Sequence, residues 1–300
     1  MSKSNTRVWV ASAGVVVLLV LPRASAGVLF SDPAESLVNF TLVADADTSA
    51  APFDYSQLGI PEAPGTVAGS LLPTTGFQLQ ANKGDANAAV TGLNLVVGAT
   101  PLNFDVTHTL EFYVWMNIPA NVSATSEDFV AGVARSNLSN AIYGNFRTSR
   151  GNGGWMLQGN DNGLSVDHRE LNNGILVNSW DAAAPEAAPK FNQAFQNSLN
   201  GPVAEAGNEW VKVDIVFDKE NATTSFFMNN VAFGTVATSN QSGFDWFGYE
   251  DPVSSLGGSP DLSGIFDNIQ VLEGNALVPE PATGGLALLG GAGLFLRRRR

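Results

Sequence analysis

The stretch "TLEFYVWMNI", residues 109–118, decides the fold class. Apolar side chains fall at every second position there, at Leu110, Phe112, Val114 and Met116. A period of two places these side chains on one face of a β-strand. The same alternation recurs in "EWVKVDIVFDKE", residues 209–220, where Lys212 and Asp214 fall between the apolar residues Val211, Val213, Ile215 and Phe217. Strands with one apolar and one polar face are typical of antiparallel sheets packed on one side against a core.

Shorter runs of the same kind extend this pattern along the chain. Clusters of Gly, Asn, Asp and Pro separate them, and no sustained helical period of apolar residues appears from 28 to 275. The Asn229-Asn230 pair predicts a tight turn, because asparagine tolerates a positive φ. Many antiparallel strands with long connections predict an all-β fold, a two-sheet antiparallel sandwich. The further candidate strands are 36–44, 76–81, 128–136, 153–160, 163–171, 223–236 and 263–274.

The order of these strands resembles the concanavalin A-like, laminin-G-like jelly roll. The likeness rests on four landmarks, Leu110–Trp115, Trp210–Asp218, Phe227–Val231 and the closing Phe-Asp-Asn-Ile at Phe266–Ile269. One departure is Asn230-Val231, where the family usually has a glycine. The resemblance implies a jelly-roll body spanning residues 27–275.

Two segments of this body have their own character. Residues 172–208 are rich in Ala, Asn and Pro, and an i, i+4, i+8 repeat there places Phe191, Phe195 and Leu199 on one helix face. Pro189 and Gly201 fall near the expected helix ends. We therefore predict a short helix on a long excursion. The segment 53–64, "FDYSQLGIPEAP", predicts a loop that packs against the sandwich through Phe53, Tyr55, Leu58 and Ile60.

The N-terminal residues 1–26 have the composition of a secretory signal peptide. In chain order they comprise basic Lys3 and Arg7, the apolar segment 8–21, the helix-breaking Pro22 and the small residues Ala24-Ser25-Ala26. We predict a signal helix that engages the Sec machinery, with cleavage after Ala26 so that Gly27 begins the mature chain. An uncleaved membrane anchor is the alternative.

The C-terminal segment 276–300 ends in an apolar run followed by arginines. The run 282–296 has fifteen residues. As a helix it would cover about 22 Å, which is short for a hydrocarbon core of about 30 Å. Arg297, Arg298, Arg299 and Arg300 resist translocation. We expect a short apolar helix that lies in the inner membrane transiently, with the body outside.

Pro279-Glu280-Pro281, the glycine-rich apolar run and the terminal arginines together resemble the PEP-CTERM sorting signal of Gram-negative bacteria. The resemblance implies processing near the Pro-Glu-Pro by a membrane protease-transpeptidase, an exosortase. It also implies an association with exopolysaccharide and biofilm matrix. Pro279, Glu280, Pro281 and the four arginines would then be sorting residues. A plain membrane anchor is the competing interpretation.

Charge and composition narrow the classes of partner. The formal net charge is −13, and the body is more acidic still because bases concentrate at the two ends. This balance argues against nucleic acid and anionic lipid as partners, and it permits cations or a basic partner. A solubilising surface is the simpler interpretation. The chain has no cysteine and hence neither disulfides nor thiolate chemistry.

No catalytic constellation is visible in the sequence. Retaining glycoside hydrolysis needs two carboxyl groups about 5 Å apart, and a Glu-x-Asp-x-Glu strand that would supply them is absent. Asp214 and Asp218 are four residues apart, and Asp214 is expected to face solvent. The two histidines, His108 and His168, lack zinc-type spacing, and there is no G-x-S-x-G. The sequence therefore predicts a protein that is not an enzyme.

Two kinds of binding residue stand out. Asp161, Asn162 and Asp167 offer hard oxygen donors that suit Ca²⁺, although an Asx-rich hairpin turn is the simpler explanation. Trp180, Trp246 and Tyr249 are candidate glycan contacts if they are exposed, with core packing as the alternative. Trp115 and Trp210 lie in predicted strands and are expected in the core.

These observations predict an exported surface or extracellular-matrix protein whose sandwich binds glycan or another surface component. A glycan-active hydrolase of the same fold and a purely structural coat protein are the alternatives.

Overall fold

The computed structural model describes residues 27–44, 47–65, 67, 70–81, 83, 91–100, 102–118, 126–135, 153–161, 168–172, 175–182, 184–197, 204, 206–238, 243–251 and 262–275. Fifteen strands and one α-helix lie within these ranges. The strands are β1 (Val28–Asp32), β2 (Phe40–Ala44), β3 (Ser49–Asp54), β4 (Thr75–Gln80), β5 (Thr91–Val97), β6 (His108–Asn117), β7 (Ser126–Arg135), β8 (Gly154–Asp161), β9 (His168–Asn172), β10 (Ile175–Trp180), β11 (Trp210–Asp218), β12 (Thr223–Met228), β13 (Val231–Ala237), β14 (Phe244–Asp251) and β15 (Ser263–Glu273). The helix α1 is Ala188–Ala194, and two 3₁₀ turns are Leu37–Asn39 and Tyr55–Leu58.

The strands form two antiparallel sheets. The eight-stranded sheet has the order β13-β12-β11-β6-β15-β4-β3, with β1 paired to β15, and the seven-stranded sheet has the order β10-β9-β8-β7-β14-β5-β2. Successive strands β4, β5, β6 and β7 alternate between the two sheets, as in a jelly roll. The predicted all-β jelly-roll sandwich is therefore confirmed.

The core lies between the inner faces of the two sheets. On β6 the predicted alternation is confirmed, since Leu110, Phe112, Val114 and Met116 are all buried. The ring of Phe112 lies 5.4 Å from Phe247 of the other sheet and 5.7 Å from Phe266 of its own sheet, measured between ring centroids. Aromatic contacts of this kind join the two layers across the centre of the molecule.

The turn between β12 and β13 is the predicted asparagine turn. Asn229 and Asn230 have φ values of 49° and 65°, a left-handed conformation that asparagine tolerates better than most residues. The Asn229 side chain accepts a hydrogen bond from the Lys212 backbone N–H (2.9 Å) and donates one to the Ala194 carbonyl (2.7 Å). Asn230, at the position where the family usually has a glycine, thus keeps the left-handed backbone of the turn.

The excursion 172–208 contains the predicted short helix, with Pro189 in its first turn. Phe191 is buried within α1, Phe195 is buried just after it, and Leu199 lies outside the described residues. The excursion also contains β10, which the sequence did not predict because it lacks alternation. A bulge between Leu176 and Asn178 breaks its period. The other strands without a sequence prediction are β1, β3, β5 and β14.

The signal segment 1–26 and the C-terminal segment 276–300 lie outside the described residues. The predicted signal helix, the cleavage site at Ala24, Ala26 and Gly27, and the C-terminal apolar helix therefore stay predictions. So do the domain boundaries at these segments. Within the described ranges, no helix is long and apolar enough to cross a membrane.

Candidate functional site

The predicted calcium ligands are only partly within the described chain. Asp161 is the last residue of β8, opposite Ser126 of β7, whereas Asn162 and Asp167 lie outside the described residues. Among the described side chains, no group of three or more acidic, histidine or cysteine residues could hold a metal ion. Calcium binding at the loop 161–167 stays a prediction.

The three predicted glycan-contact aromatics differ in exposure from what that role requires. Trp246 and Tyr249 are each only 1% exposed. Tyr249 belongs to the core, where its hydroxyl donates a hydrogen bond to Glu127. The expected exposure of these two residues is therefore wrong. Trp180 is half-buried at the end of β10, with the Lys190 ammonium 4.8 Å from its ring centroid, and its role in binding stays a prediction.

Half-buried aromatics occur instead on the outer face of the eight-stranded sheet. Tyr113, Trp115 and Trp210, here called the aromatic strip, are out of phase with the buried residues of β6 and β11 and point away from the core. Trp115 lies opposite Trp210 in the β6–β11 register, with ring centroids 5.7 Å apart. The Trp210 indole N–H donates to the Pro61 carbonyl (2.7 Å). The expectation that Trp115 and Trp210 lie in the core between the sheets is wrong, but both are partly buried against the cluster of Tyr55, Ile60 and Ile265.

A cluster of charges continues this face beside the strip. The Lys212 ammonium lies 2.6 Å from a Glu111 carboxylate oxygen and 2.8 Å from Asp214 Oδ1. Asp214 is fully buried although it points outward, because neighbouring side chains cover it, and the expected solvent exposure is wrong. Burial raises the pKa of Asp214 to about 7, although the Lys212 ammonium opposes the rise.

The segment 53–64 packs on this face as the sequence predicts. Tyr55 and Ile60 are buried against Ile265 of β15, and Phe53 and Leu58 pack around them. Asp54 caps the 3₁₀ turn Tyr55–Leu58 by accepting from the Ser56 N–H (3.1 Å). Gly59 ends the turn in the left-handed region with φ 74°, a conformation that glycine adopts at little cost.

A cavity of about 230 Å³ lies between β15 and residues at the end of this segment and after it. The closing Phe-Asp-Asn-Ile motif supplies its floor, since Asp267 and Asn268 both line it. Its remaining lining residues are Glu62, Gly65, Val67, Ser70, Leu71 and Pro73. Asp267 lies opposite Tyr113 in the β15–β6 register, which places the cavity next to the aromatic strip.

The Asp267 carboxylate is 4% exposed and held at both oxygens. The Tyr55 hydroxyl donates to Oδ2 (2.8 Å), and the Asn268 backbone N–H donates to Oδ1 (2.7 Å). Burial raises the pKa of Asp267 to about 7, with these hydrogen bonds opposing the rise. A cavity with convergent polar groups and a titratable group of perturbed pKa is the usual form of a binding site.

The outer face of the seven-stranded sheet carries a second arrangement that the sequence did not reveal. Asp128 of β7 lies opposite Glu250 of β14, on the face away from the core residues Phe129 and Tyr249. Opposed residues of an antiparallel pair have Cβ atoms about 4.5–5.5 Å apart. Both carboxylates are buried, with exposures of 5% and 0%. They are far apart in sequence, and only the strand register brings them together.

Both histidines are buried beside carboxylates within the sandwich. His108 Nε2 lies 3.0 Å from Asp245 Oδ1; burial alone would lower its pKa, but Asp245 raises it overall. His168 Nε2 lies 3.2 Å from Glu170 Oε1, and burial lowers its pKa despite this contact. Neither ring reaches the surface, so these pairs hold the interior together rather than contact a ligand.

Comparison with known proteins identifies the C-terminal segment. Residues 277–300 match the family described as the PEP-CTERM protein-sorting motif. The chain carries a PEP-CTERM sorting signal. The resemblance predicted from Pro279-Glu280-Pro281 and the terminal arginines is thereby confirmed, and the motif implies an exported protein. No curated protein matches the chain by sequence.

Solved structures with similar folds are distant in sequence. The potassium-bound carbohydrate recognition domain of Emp46p is 14% identical, with a TM-score of 0.41, over 82% of this chain and 100% of that domain. An endo-1,3-β-glucanase from Streptomyces sioyaensis is 15% identical, with a TM-score of 0.45, over 84% and 97%. The exoplasmic/lumenal domain of VIP36 in its Ca²⁺/Man2-bound form is 7% identical, with a TM-score of 0.41, over 76% and 81%.

Proposed function

We propose that this protein is an exported surface or extracellular-matrix component whose sandwich binds a glycan on the outer face of the eight-stranded sheet. The sorting motif at 277–300 supports the location. The observation that supports the binding role is the position of Asp267, which lines the cavity and lies opposite Tyr113 of the aromatic strip.

The chemistry of this face suits a sugar. Tyrosine and tryptophan rings combine an apolar surface with a polar edge, and so they pack against the C–H face of a sugar ring. Carboxylates such as Glu62 and hydroxyls such as Ser70 exchange hydrogen bonds with sugar hydroxyls. The cavity volume of about 230 Å³ is below the range of roughly 300–1,000 Å³ that is usual for ligand pockets. It therefore fits a single sugar residue, with the rest of the glycan along the strip.

The negative charge of the chain distinguishes neutral glycans from acidic ones. A net charge of −13 repels anionic polymers, and Lys212 is already paired with two carboxylates. We therefore expect neutral polysaccharides to bind more tightly than acidic ones.

Binding to a panel of neutral and acidic polysaccharides tests this proposal. Trp210→Ala removes one ring of the strip, and we expect at least a tenfold loss of affinity. Trp180→Ala is the matched control, because Trp180 is also half-buried and lies at the edge of the other sheet. A loss confined to Trp180→Ala would move the site to β10, and no binding to any polysaccharide would refute the proposal.

The protein acts in this proposal as a binding module without catalysis. Hydrolysis is a second candidate function, because the opposition of Asp128 and Glu250 provides two carboxyl groups on one sheet face. Retaining glycosidases hold their two carboxyl groups about 5–5.5 Å apart, and opposed residues of an antiparallel pair have Cβ atoms at a similar separation of about 4.5–5.5 Å. Release of reducing ends from the same panel, abolished in Asp128→Asn and Glu250→Gln, would establish catalysis. No release supports the binding module, and if binding is also absent, a structural coat protein remains.

The C-terminal segment acts in this proposal as a temporary anchor. The run 282–296 holds the chain in the inner membrane until an exosortase processes it near Pro279–Pro281. We expect the surface form to lack Arg297–Arg300. C-terminal mass spectrometry of the exported protein checks this, and the recovery of those arginines on most molecules would favour a permanent anchor.

A further inference from the structure

The strand β10 leaves an apolar edge open on the seven-stranded sheet. Among the described strands it pairs only with β9, at one end of the sheet order. Ile175, Leu176 and Val177 are 70%, 42% and 48% exposed. The bulge between Leu176 and Asn178 explains why three consecutive side chains are exposed where alternate ones would be expected. An exposed edge also presents backbone N–H and C=O groups that can pair with another strand.

The edges of the eight-stranded sheet are protected against such pairing. β3 contains Pro52, which cannot donate a backbone hydrogen bond. β13 is covered by α1, since the Lys190 ammonium donates to the Phe233 carbonyl (2.6 Å) and the Phe191 ring packs 5.4 Å from the Phe233 ring. β10 has no proline, and its contact with α1 is at its last residue, where the Lys190 ammonium lies 4.8 Å from the Trp180 ring centroid.

The lack of charged residues at this edge bears on which partner can pair with it. The segment 171–180 has no charged residue, although the chain has a net charge of −13. The uncharged segment keeps charge repulsion between two copies low at β10, although other stretches, such as 221–244, are uncharged as well. A strand edge that meets its own copy in antiparallel orientation about a two-fold axis offers each copy the same donors and acceptors.

We propose that β10 is an interface between two copies of this protein, formed by antiparallel pairing of the two β10 strands into one continuous sheet. The contact of Ile175, Leu176 and Val177 with their counterparts removes apolar surface from water. The interface leaves the outer faces of both eight-stranded sheets free. A dimer thus presents two equivalent faces and would bind a repeating polymer with greater avidity than one copy. The pairing itself does not depend on the identity of any ligand.

Sedimentation velocity of the exported protein, over a range of concentrations, tests the proposal. We expect a reversible dimer in the wild type. Val177→Lys places an ammonium group in each strand of the pair, and we expect the dimer dissociation constant to rise at least tenfold. Val38→Lys is the matched control, because Val38 is 69% exposed and lies away from β10, and it should dimerise like the wild type. Ile175→Lys serves as a second variant if Val177→Lys fails to fold.

Amide hydrogen exchange separates strand pairing from other modes of association. Amides within 175–180 should exchange more slowly at high protein concentration in the wild type and at the same rate in Val177→Lys. A wild type that stays monomeric would overturn the proposal. So would a dimer that Val177→Lys and Ile175→Lys both leave intact, or growth into large aggregates without a discrete dimer.

Discussion

The outer faces of the two sheets carry the same kinds of residue in different surroundings. On the eight-stranded sheet Trp210 is half-buried, and Asp214 is paired with Lys212 at 2.8 Å. On the seven-stranded sheet Trp246 is 1% exposed, and Asp128 lies opposite another carboxylate, Glu250. Residue type alone therefore does not separate a fully buried tryptophan from a partly buried one. The neighbouring residues on adjacent strands determine how far each tryptophan is buried.

The largest expected effect concerns Trp246, the buried tryptophan of this comparison. Trp246→Ala should lower the free energy of unfolding by about 3–5 kcal/mol, the usual cost of truncating a large buried aromatic. It should leave glycan affinity unchanged while the protein is folded. Urea denaturation measures the first quantity and titration with a bound polysaccharide the second. A folded Trp246→Ala protein without affinity would place the ligand on the seven-stranded sheet instead.

The next effect concerns the charged residues on the outer face of the eight-stranded sheet. Lys212→Met should cost about 3 kcal/mol, the low end of the range for breaking a buried ion pair, because the Lys212 side chain is 20% exposed. The loss of unfolding free energy should become smaller as the pH falls, because a protonated Asp214 is neutral and does not need Lys212 as a counter-ion.

The matched control for Lys212→Met is Lys219→Met. Lys219 pairs with Asp105 at the same 2.8 Å distance, but the two side chains are 36% and 62% exposed. Such pairs contribute well under about 1 kcal/mol. Equal losses of unfolding free energy in both variants would show that burial does not distinguish the two pairs.

The effect that is smallest per unit of pH is a pH dependence from Asp267. Its pKa is raised from 3.8 in the unfolded chain to about 7 in the folded protein. The folded protein therefore keeps a proton that the unfolded chain loses. The contribution to stability is full below about pH 4 and falls by at most about 1.4 kcal/mol per unit as the pH rises to 7. Asp267→Asn should remove this slope, so the difference between its unfolding free energy and that of the wild type should vary with pH. Parallel curves for the two proteins from pH 4 to 7 would contradict the assignment.

The alternation of apolar and polar residues in a few strands was enough to predict the fold. Alternation in β6 and β11 identified one buried face correctly, and the Asn229-Asn230 turn followed from backbone preference. The same phase places Trp115 on the outer face, since it is out of step with Leu110. Its expected burial was wrong because hydrophobicity is a weaker guide than phase.

The candidate site depended on contacts that one strand cannot reveal. Asp214 points outward yet is buried, because Lys212 and the neighbouring strand cover it. Asp267 acquires its surroundings from Tyr55, which is far away in sequence. The opposition of Asp128 and Glu250 requires the register of β7 and β14. β10 has no periodic signal, since its bulge interrupts the alternation.

The position of β15 has a consequence for the timing of folding. It is the last of the described strands, but it lies inside the eight-stranded sheet, between β6 and β4, and it also pairs with β1. Without it, β1, the β3–β4 hairpin and the β6 side of the sheet have no common partner. A ribosome completes this strand only shortly before the sorting motif at 277–300. Folding of the sandwich is therefore a late event in synthesis, and a chain truncated before residue 263 should remain unfolded and exposed to proteases.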